Sequence, residues 1–323
     1  MSHPLDRRPS PILELRCPFP SRFDSELAEE IDERIAEWAQ EIGVFAGALK
    51  KFRQFRFGAF AVLVHPDTKD RDRLLLEAQL TTAMFAADDH YCDDESLGAD
   101  AETAAARLTL ISVALDMPLS SPEAEVIHRQ VASDPVLRAF RELLVRVTTL
   151  GTPTQTGRVR YGIISTLLAM AGENSWRLGH LHPPAWEYLA VRPYNGALSN
   201  FSLSDVVDDY ELPARDFEAP AVRALSLIAS TLIMHVNDLY SKAKEDRTSV
   251  GSYSLPRILE AAHATDGLQE TVRIHNEQMS RYLDAEAMVM AADPSTELAQ
   301  YLRGLRNWMR GNLDWHRISG RYD

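Results

Sequence analysis

The chain has 323 residues, 45% of them apolar and 25% charged, the balance of a folded protein with a sizeable core rather than a disordered one. Its 34 Lys and Arg against 47 Asp and Glu give a formal net charge of −13, which argues against a broad nucleic-acid or anionic-lipid surface. Two cysteines, Cys17 and Cys92, exclude a disulfide framework or a four-thiolate zinc site, and the 15 glycines, below the roughly 7% that is usual, weigh against a turn-rich β-sandwich.

Residues 1–23 carry Pro4, Pro9, Pro11, Pro18 and Pro20 and read as an extended arm. Asp24 or Ser25 can cap the helix that follows. In it Leu27, Ile31, Ile35, Trp38 and Ile42 recur at helical spacing, and Gly43 stops it. Helical periodicity returns over 70–90, 101–115, 121–129, 135–149, 158–180, 185–191, 197–207, 219–245, 254–263, 267–291 and 296–315, with Gly and Pro between the segments. Val62–His65 is the best strand candidate. The longest apolar stretch, Ala221 to Val236, contains Arg223, Ser226, Ser230 and His235, and reads as a buried helix rather than a membrane span. Residues 24–323 are therefore expected to form a single all-α domain of about ten or more helices. No apolar secretory segment opens the chain, and the sparse cysteines fit a reducing, cytoplasmic location.

Two polar clusters stand at the ends of apolar helical segments. The first is Asp88-Asp89-His90-Tyr91-Cys92-Asp93-Asp94-Glu95, five carboxylates in eight residues. Asp88 continues the apolar face of Leu80 and Met84, with Phe85 one turn below. Carboxylates at a helix C-terminus oppose the macrodipole. The cluster is either a solvated acidic helix end or a divalent-cation site of hard oxygen ligands. In the second, Asn237, Ser241 and Glu245 are spaced by four and drift only about 80° over two turns, so they form one oxygen-bearing stripe with Lys244 on the same side. An ordinary polar helix face is the plainer reading of that stripe alone.

Together the clusters resemble the motifs of bacterial class I terpene synthases. Asp88–Glu95 is similar to their aspartate-rich motif, and Asn237–Glu245 to their NDxxSxxKE motif. Pro184–Gly196 resembles the segment at that family's helix break. On that match Arg192 corresponds to the diphosphate sensor, Asn195 to the linker and Gly196 to the effector. Arg321-Tyr322 resembles the C-terminal Arg-Tyr pair. The resemblance spans nearly the whole chain in order and spacing. Within the family, Asp88–Glu95, Asp24–Val44 and Asn312-Leu-Asp-Trp-His-Arg are similar to the 2-methylisoborneol and 2-methylenebornane synthases, which cyclise geranyl or 2-methylgeranyl diphosphate. Three departures stand out: Cys92 replaces the last Asp of a strict DDxxD, Phe85 replaces a usual Trp, and the Pro-rich extension is short.

The resemblance implies a class I terpenoid synthase bundle with a central cavity and a small-molecule prenyl diphosphate substrate. It implies three Mg2+ ions between Asp88, Asp89 and Asp93 on one side and Asn237, Ser241 and Glu245 on the other. Cys92 is left out, since thiols suit Mg2+ poorly. Arg192, Asn237, Lys244, Arg321 and Tyr322 would grip the diphosphate. Phe57, Phe60, Phe85, Trp308, Trp315 and Tyr322 would face the carbocation, or else be plain core. The Pro-rich arm could fold over the mouth. A homodimer is usual for the family. The alternatives are a cyclase of farnesyl or geranylgeranyl diphosphate, a chain-elongating prenyltransferase (which normally carries two aspartate-rich motifs), and a non-catalytic helical protein that binds prenyl diphosphates or partners.

Overall fold

Asp24 caps the first helix, accepting from the Leu27 amide at 3.1 Å, and Gly43 ends it at a φ of +93°. This helix is α1 (Ser25–Ile42), and Leu27, Ile31, Ile35, Trp38 and Ile42 are all buried along it, as their spacing requires. The computed structural model describes residues 15–93, 97–116, 121–245, 253–262 and 266–322, without the side chains of 93, 123 and 243–245.

The other helices are α2 (Leu49–Phe55), α3 (Phe57–Val64), α4 (Arg71–Ala87), α5 (Ala104–Leu115), α6 (Pro122–Ser133), α7 (Pro135–Leu150) and α8 (Pro153–Leu178). After them come α9 (Ala185–Val191), α10 (Leu198–Phe201), α11 (Ser204–Val207), α12 (Ala214–Phe217), α13 (Pro220–Glu245), α14 (Leu255–Ala261), α15 (Gly267–Ala291) and α16 (Thr296–Ile318). The fold is all-α, with no strand among the described residues.

Val62–His65, the best strand candidate of an all-α reading, is helical: Val62 to Val64 end α3, and His65 is its C-cap. Every residue of α3 is buried, because it packs on α1, α4 and α16 at once. A helix enclosed on all sides has no polar face and hence no amphipathic period to read. The approach to α1 is tight: a Cβ on Gly58 would lie 2.2 Å from the Asp32 backbone nitrogen. The segment expected to be helical over 197–207 is broken into α10 and α11. α8 starts five residues before the expected 158, at Pro153, behind a capping box of Thr152 and Gln155.

Ala221–Val236 lies within α13, as the buried-helix reading requires, and no helix of the described residues is long and apolar enough to cross a membrane. Residues 16–19 of the arm lie against α15. Arg16 donates its amide to Asn276 Oδ1 at 2.7 Å, and Phe19 meets the Tyr282 ring edge-on. One apolar cluster extends from Leu27 to Tyr322. At its centre α3, α4, α8, α13 and α16 leave a cavity.

Candidate active site

The cavity measures about 1640 Å³. Its lining includes Asp88, Asp89, Arg192, Asn195, Gly196, Asn237, Ser241, Arg321 and Tyr322, together with Phe60, Phe85, Trp308 and Trp315. Residues distant in sequence thus meet in one hollow, with carboxylates, amides and guanidinium groups at the rim and rings below.

At the rim α4 gives way to a π-helical turn, Asp88–Asp93. Such widened turns concentrate at functional sites. Asp88 is half-buried and faces the cavity. Asp89 is buried and accepts from Arg321 Nη2 and Nη1 at 2.9 and 3.0 Å. The Arg321 guanidinium also lies 4.0 Å over the Phe85 ring. Burial alone would lower its pKa, but Asp89 outweighs that and holds the group above its ordinary value.

Across the mouth, α13 presents Asn237 and Ser241. Asn237 Oδ1 accepts from Arg192 Nη2 at 2.9 Å, and its Nδ2 donates to Tyr322 Oη at 2.7 Å. Arg192 can only donate, which fixes the amide orientation. Burial pushes the Tyr322 phenol up to about 12, so it keeps its proton. Arg192 is anchored from behind by Asp238, at 3.0 Å from Nε and 2.6 Å from Nη2. The second oxygen of Asp238 accepts from Tyr188 Oη at 2.8 Å and the Leu255 amide at 3.0 Å. Against the burial that opposes it, this carboxylate keeps the Arg192 pKa well above its ordinary value.

Between α9 and α10 the chain turns through residues 192–197. Ser230 stitches the turn to α13, donating to the Pro193 carbonyl at 2.7 Å and accepting from the Ala197 amide at 3.1 Å. A Cβ on Gly196 would lie 2.6 Å from Met234 Cγ, so the backbone comes this near only without a side chain. Asn195 donates to Glu173 at 2.6 Å, and Glu173 accepts from Arg177 at 2.8 Å. Arg177 reaches the Cys92 carbonyl at 3.2 Å, joining the helix break to the acidic turn.

Below the rim Phe60 packs against Trp315 and Trp308, with centroids 5.1 and 5.3 Å apart. Phe57, expected in the pocket, is corrected: it is stacked 5.1 Å behind Phe85 and does not line the cavity. Its ring is enclosed by Phe52, Phe55 and Trp315, at centroid distances of 5.7, 5.6 and 6.0 Å. The side chains of Asp93, Lys244 and Glu245 lie outside the described ones, as do residues Asp94 and Glu95.

Sequence reasoning missed Asp238, Tyr188, Glu173 and Arg177. Glu173 and Arg177 carried a signal as an i,i+4 pair on a helix. It also missed His316, whose Nδ1 lies 2.8 Å from the Asn312 carbonyl. Burial, reinforced by Arg321, pushes that imidazole down to about 4, so it is neutral.

Among the described residues no three His, Cys, Asp or Glu side chains converge as a metal cluster. The donors instead face one another across the mouth: a carboxylate on one helix, an amide oxygen and a hydroxyl on the other. An all-oxygen set with few protein charges suits a hard divalent cation that shares its shell with ligand phosphate.

A family model, "Terpene synthase family 2, C-terminal metal binding", matches residues 79–304. The 2-methylisoborneol synthase of Saccharopolyspora erythraea is 31% identical over 319 residues, covering 95% of this chain and 89% of the relative. The 4-epi-cubebol synthase of Streptosporangium roseum, described as cyclising (2E,6E)-farnesyl diphosphate, is 28% identical over 99% of this chain and 94% of its own. The crystal structure of 2-methylisoborneol synthase from Streptomyces coelicolor A3(2) with Mg2+ and 2-fluoroneryl diphosphate superposes with a TM-score of 0.88, at 31% identity and 97% coverage of both chains. Fold, rim and relatives agree, and the chain belongs to terpene synthase family 2, enzymes of the bacterial class I type.

Proposed function

We propose that this enzyme uses Mg2+ to ionise a linear prenyl diphosphate, geranyl or 2-methylgeranyl diphosphate being favoured, and cyclises the resulting carbocation. The observation that carries the reading is that Asp88, Asn237 and Ser241 line one and the same ring-walled cavity. Asp88 with Asp89 and Asp93 on one rim, and Asn237, Ser241 and Glu245 on the other, would hold three ions with the bound diphosphate. Those ions supply Lewis-acid stabilisation of charge on the leaving group.

The chain's own residues do the rest. Arg192, fixed by Asp238, directs its guanidinium at the mouth beside Asn237. Tyr322 keeps a phenolic proton to give to a phosphate oxygen. Arg321 exchanges Asp89 for phosphate as the headgroup arrives, and Lys244 adds a cation on the α13 side. Preorganised donors of this kind stabilise a departing anion without reorganising at the moment of reaction. Phe60, Phe85, Trp308 and Trp315 exclude water and offer ring faces to the cation. Asn195 and Gly196 hold the turn that brings backbone against the cavity.

The preference for short substrates rests on the relatives named 2-methylisoborneol synthase at 31–32% identity. A farnesyl diphosphate cyclase is the second reading. The 4-epi-cubebol synthase relative favours it, and a hollow of about 1640 Å³ does not exclude the longer chain. One set of incubations tests both: geranyl, 2-methylgeranyl, farnesyl and geranylgeranyl diphosphate, each with Mg2+ and with chelator, analysed by gas chromatography–mass spectrometry. Cyclic product from the ten- or eleven-carbon substrates, lost with chelator, is expected. Turnover confined to the longer substrates reverses the preference.

A further inference from the structure

Deep in the cavity lies one polar patch that the metal and diphosphate chemistry does not use. Thr81 precedes Asp88 by two turns of α4, about 10 Å deeper at 1.5 Å per residue. Thr81 and Asn200 line the floor there, amid Phe60, Met84 and Trp308. Both are held from behind by Glu77, which has no solvent exposure. Glu77 Oε1 accepts from Thr81 Oγ1 at 3.0 Å and from Asn200 Nδ2 at 2.6 Å.

A carboxylate only accepts, so Asn200 must turn its amino group to Glu77 and its carbonyl away. Ser199 Oγ donates to that carbonyl at 3.2 Å, which leaves one lone pair. Thr81 gives its proton to Glu77 and accepts from Asn200 Nδ2 at 3.3 Å, which leaves its Oγ1 one lone pair. Behind Glu77, Oε2 lies 3.5 Å from His65 Nε2, an ion-pair distance. His65 Nδ1 is 3.0 Å from Asp208 Oδ1, which also accepts from Thr68 Oγ1 at 2.5 Å. Burial opposes a charge on His65, but Asp208 and Glu77 outweigh it and raise the pKa to about 9. Glu77 and His65 are fully buried and Asp208 partly so, and charge placed there carries a desolvation penalty. This triad meets the cavity through Thr81 and Asn200, two groups fixed as acceptors in an apolar floor.

We propose that Glu77, set in place by His65 and Asp208, makes Thr81 and Asn200 a water-capturing site that ends the reaction as an alcohol. This rests on the cyclase reading above. Asn200 Oδ1 and Thr81 Oγ1 accept the two hydrogens of one water, whose lone pair then faces the cavity. That lone pair forms the C–O bond to the carbocation. The O–H bond directed at Thr81 breaks, its proton passing to Thr81 Oγ1 as Thr81's own proton passes to Glu77 Oε1. Once the alcohol has left, water entering the cavity takes the proton from Glu77 through Thr81, restoring the carboxylate. Glu77 is a positioning residue that acts through Thr81.

The test incubates the purified full chain with Mg2+ and geranyl, 2-methylgeranyl or farnesyl diphosphate in 18O-water, reading the alcohol-to-hydrocarbon ratio and 18O content by mass spectrometry. Glu77→Gln keeps the shape and an acceptor oxygen toward Thr81 and Asn200, but it has no carboxylate to take the proton that Thr81 passes on. Total turnover should stay within about tenfold of wild type while the alcohol share falls at least about fivefold, and Thr81→Val should lower it likewise. Thr81→Val carries the test alone if Glu77→Gln does not fold. An unchanged ratio in folded, active variants overturns the proposal, even with a lowered melting temperature, since a mere brace gives that result. So does a wild-type product set with no labelled alcohol. A wild-type chain that turns over no prenyl diphosphate overturns the cyclase reading and the proposal with it.

Discussion

Arg321 holds both carboxylate oxygens of Asp89, at 2.9 and 3.0 Å, in a buried fork. Its neighbour Tyr322 accepts from Asn237 on the opposite rim at 2.7 Å. One dipeptide therefore ties the Asp88–Asp93 turn to α13. Removing only the cation takes the guanidinium fork away from a buried carboxylate, at a cost of about 3–5 kcal/mol. Arg321→Met should be destabilised by that order in urea unfolding, and Arg321→Met with Asp89→Leu should recover much of it. Turnover should recover in neither, because the double variant restores packing without restoring a phosphate ligand. Equal stability of single and double variants would show that the pair is not coupled.

Gly196 and Met234 are in close register. A Cβ at position 196 meets Met234 Cγ at 2.6 Å, Sδ at 2.7 Å and Ser230 Oγ at 3.1 Å. Gly196→Ala should cost about 1–3 kcal/mol by overpacking and shift the product profile, since Met234 lines the cavity. Adding Met234→Ala opens the space and should return most of the stability. Chemical denaturation and product analysis of the two variants check this.

His65 gives stability a dependence on pH. Its folded pKa, about 9, lies above the roughly 6.5 of an unfolded histidine. A group raised on folding contributes fully below its unfolded pKa and loses that contribution as pH rises through the folded one. The gap corresponds to about 3 kcal/mol, present below pH ~6.5 and gone above pH ~9. Unfolding free energies at pH 6 and pH 10 should differ by that order in wild type. In His65→Gln the difference should shrink, and an equal difference in both chains would acquit His65.

Much of this could be read in the sequence where the signal was local. α1 announced itself through Asp24, Gly43 and five apolar residues at one spacing, all of which the structure uses. α3 did not, because a segment buried on every side carries no periodicity. The stripe Asn237–Ser241 drew attention by its four-residue step. Asp238, one residue along and so about 100° around the helix, anchors Arg192 from a face that step ignores. Phe57 and Phe60 are alike in composition, and only packing separates the ring on the cavity from the ring behind it. The Glu77–Asn200 contact joins residues 123 apart, which no local pattern encodes.

The measurement that bears most directly on the rim as a shared metal site is Mg2+-dependent release of inorganic pyrophosphate from geranyl or 2-methylgeranyl diphosphate, comparing wild type with Asp88→Ala, Asn237→Ala and the double variant. Each single change should lower the rate by at least about a hundredfold, with circular dichroism unchanged. The double variant should lose little more than the worse single, because residues acting as one unit are not additive. Pyrophosphate release at wild-type rate and wild-type Mg2+ dependence in Asp88→Ala and Asn237→Ala would contradict it.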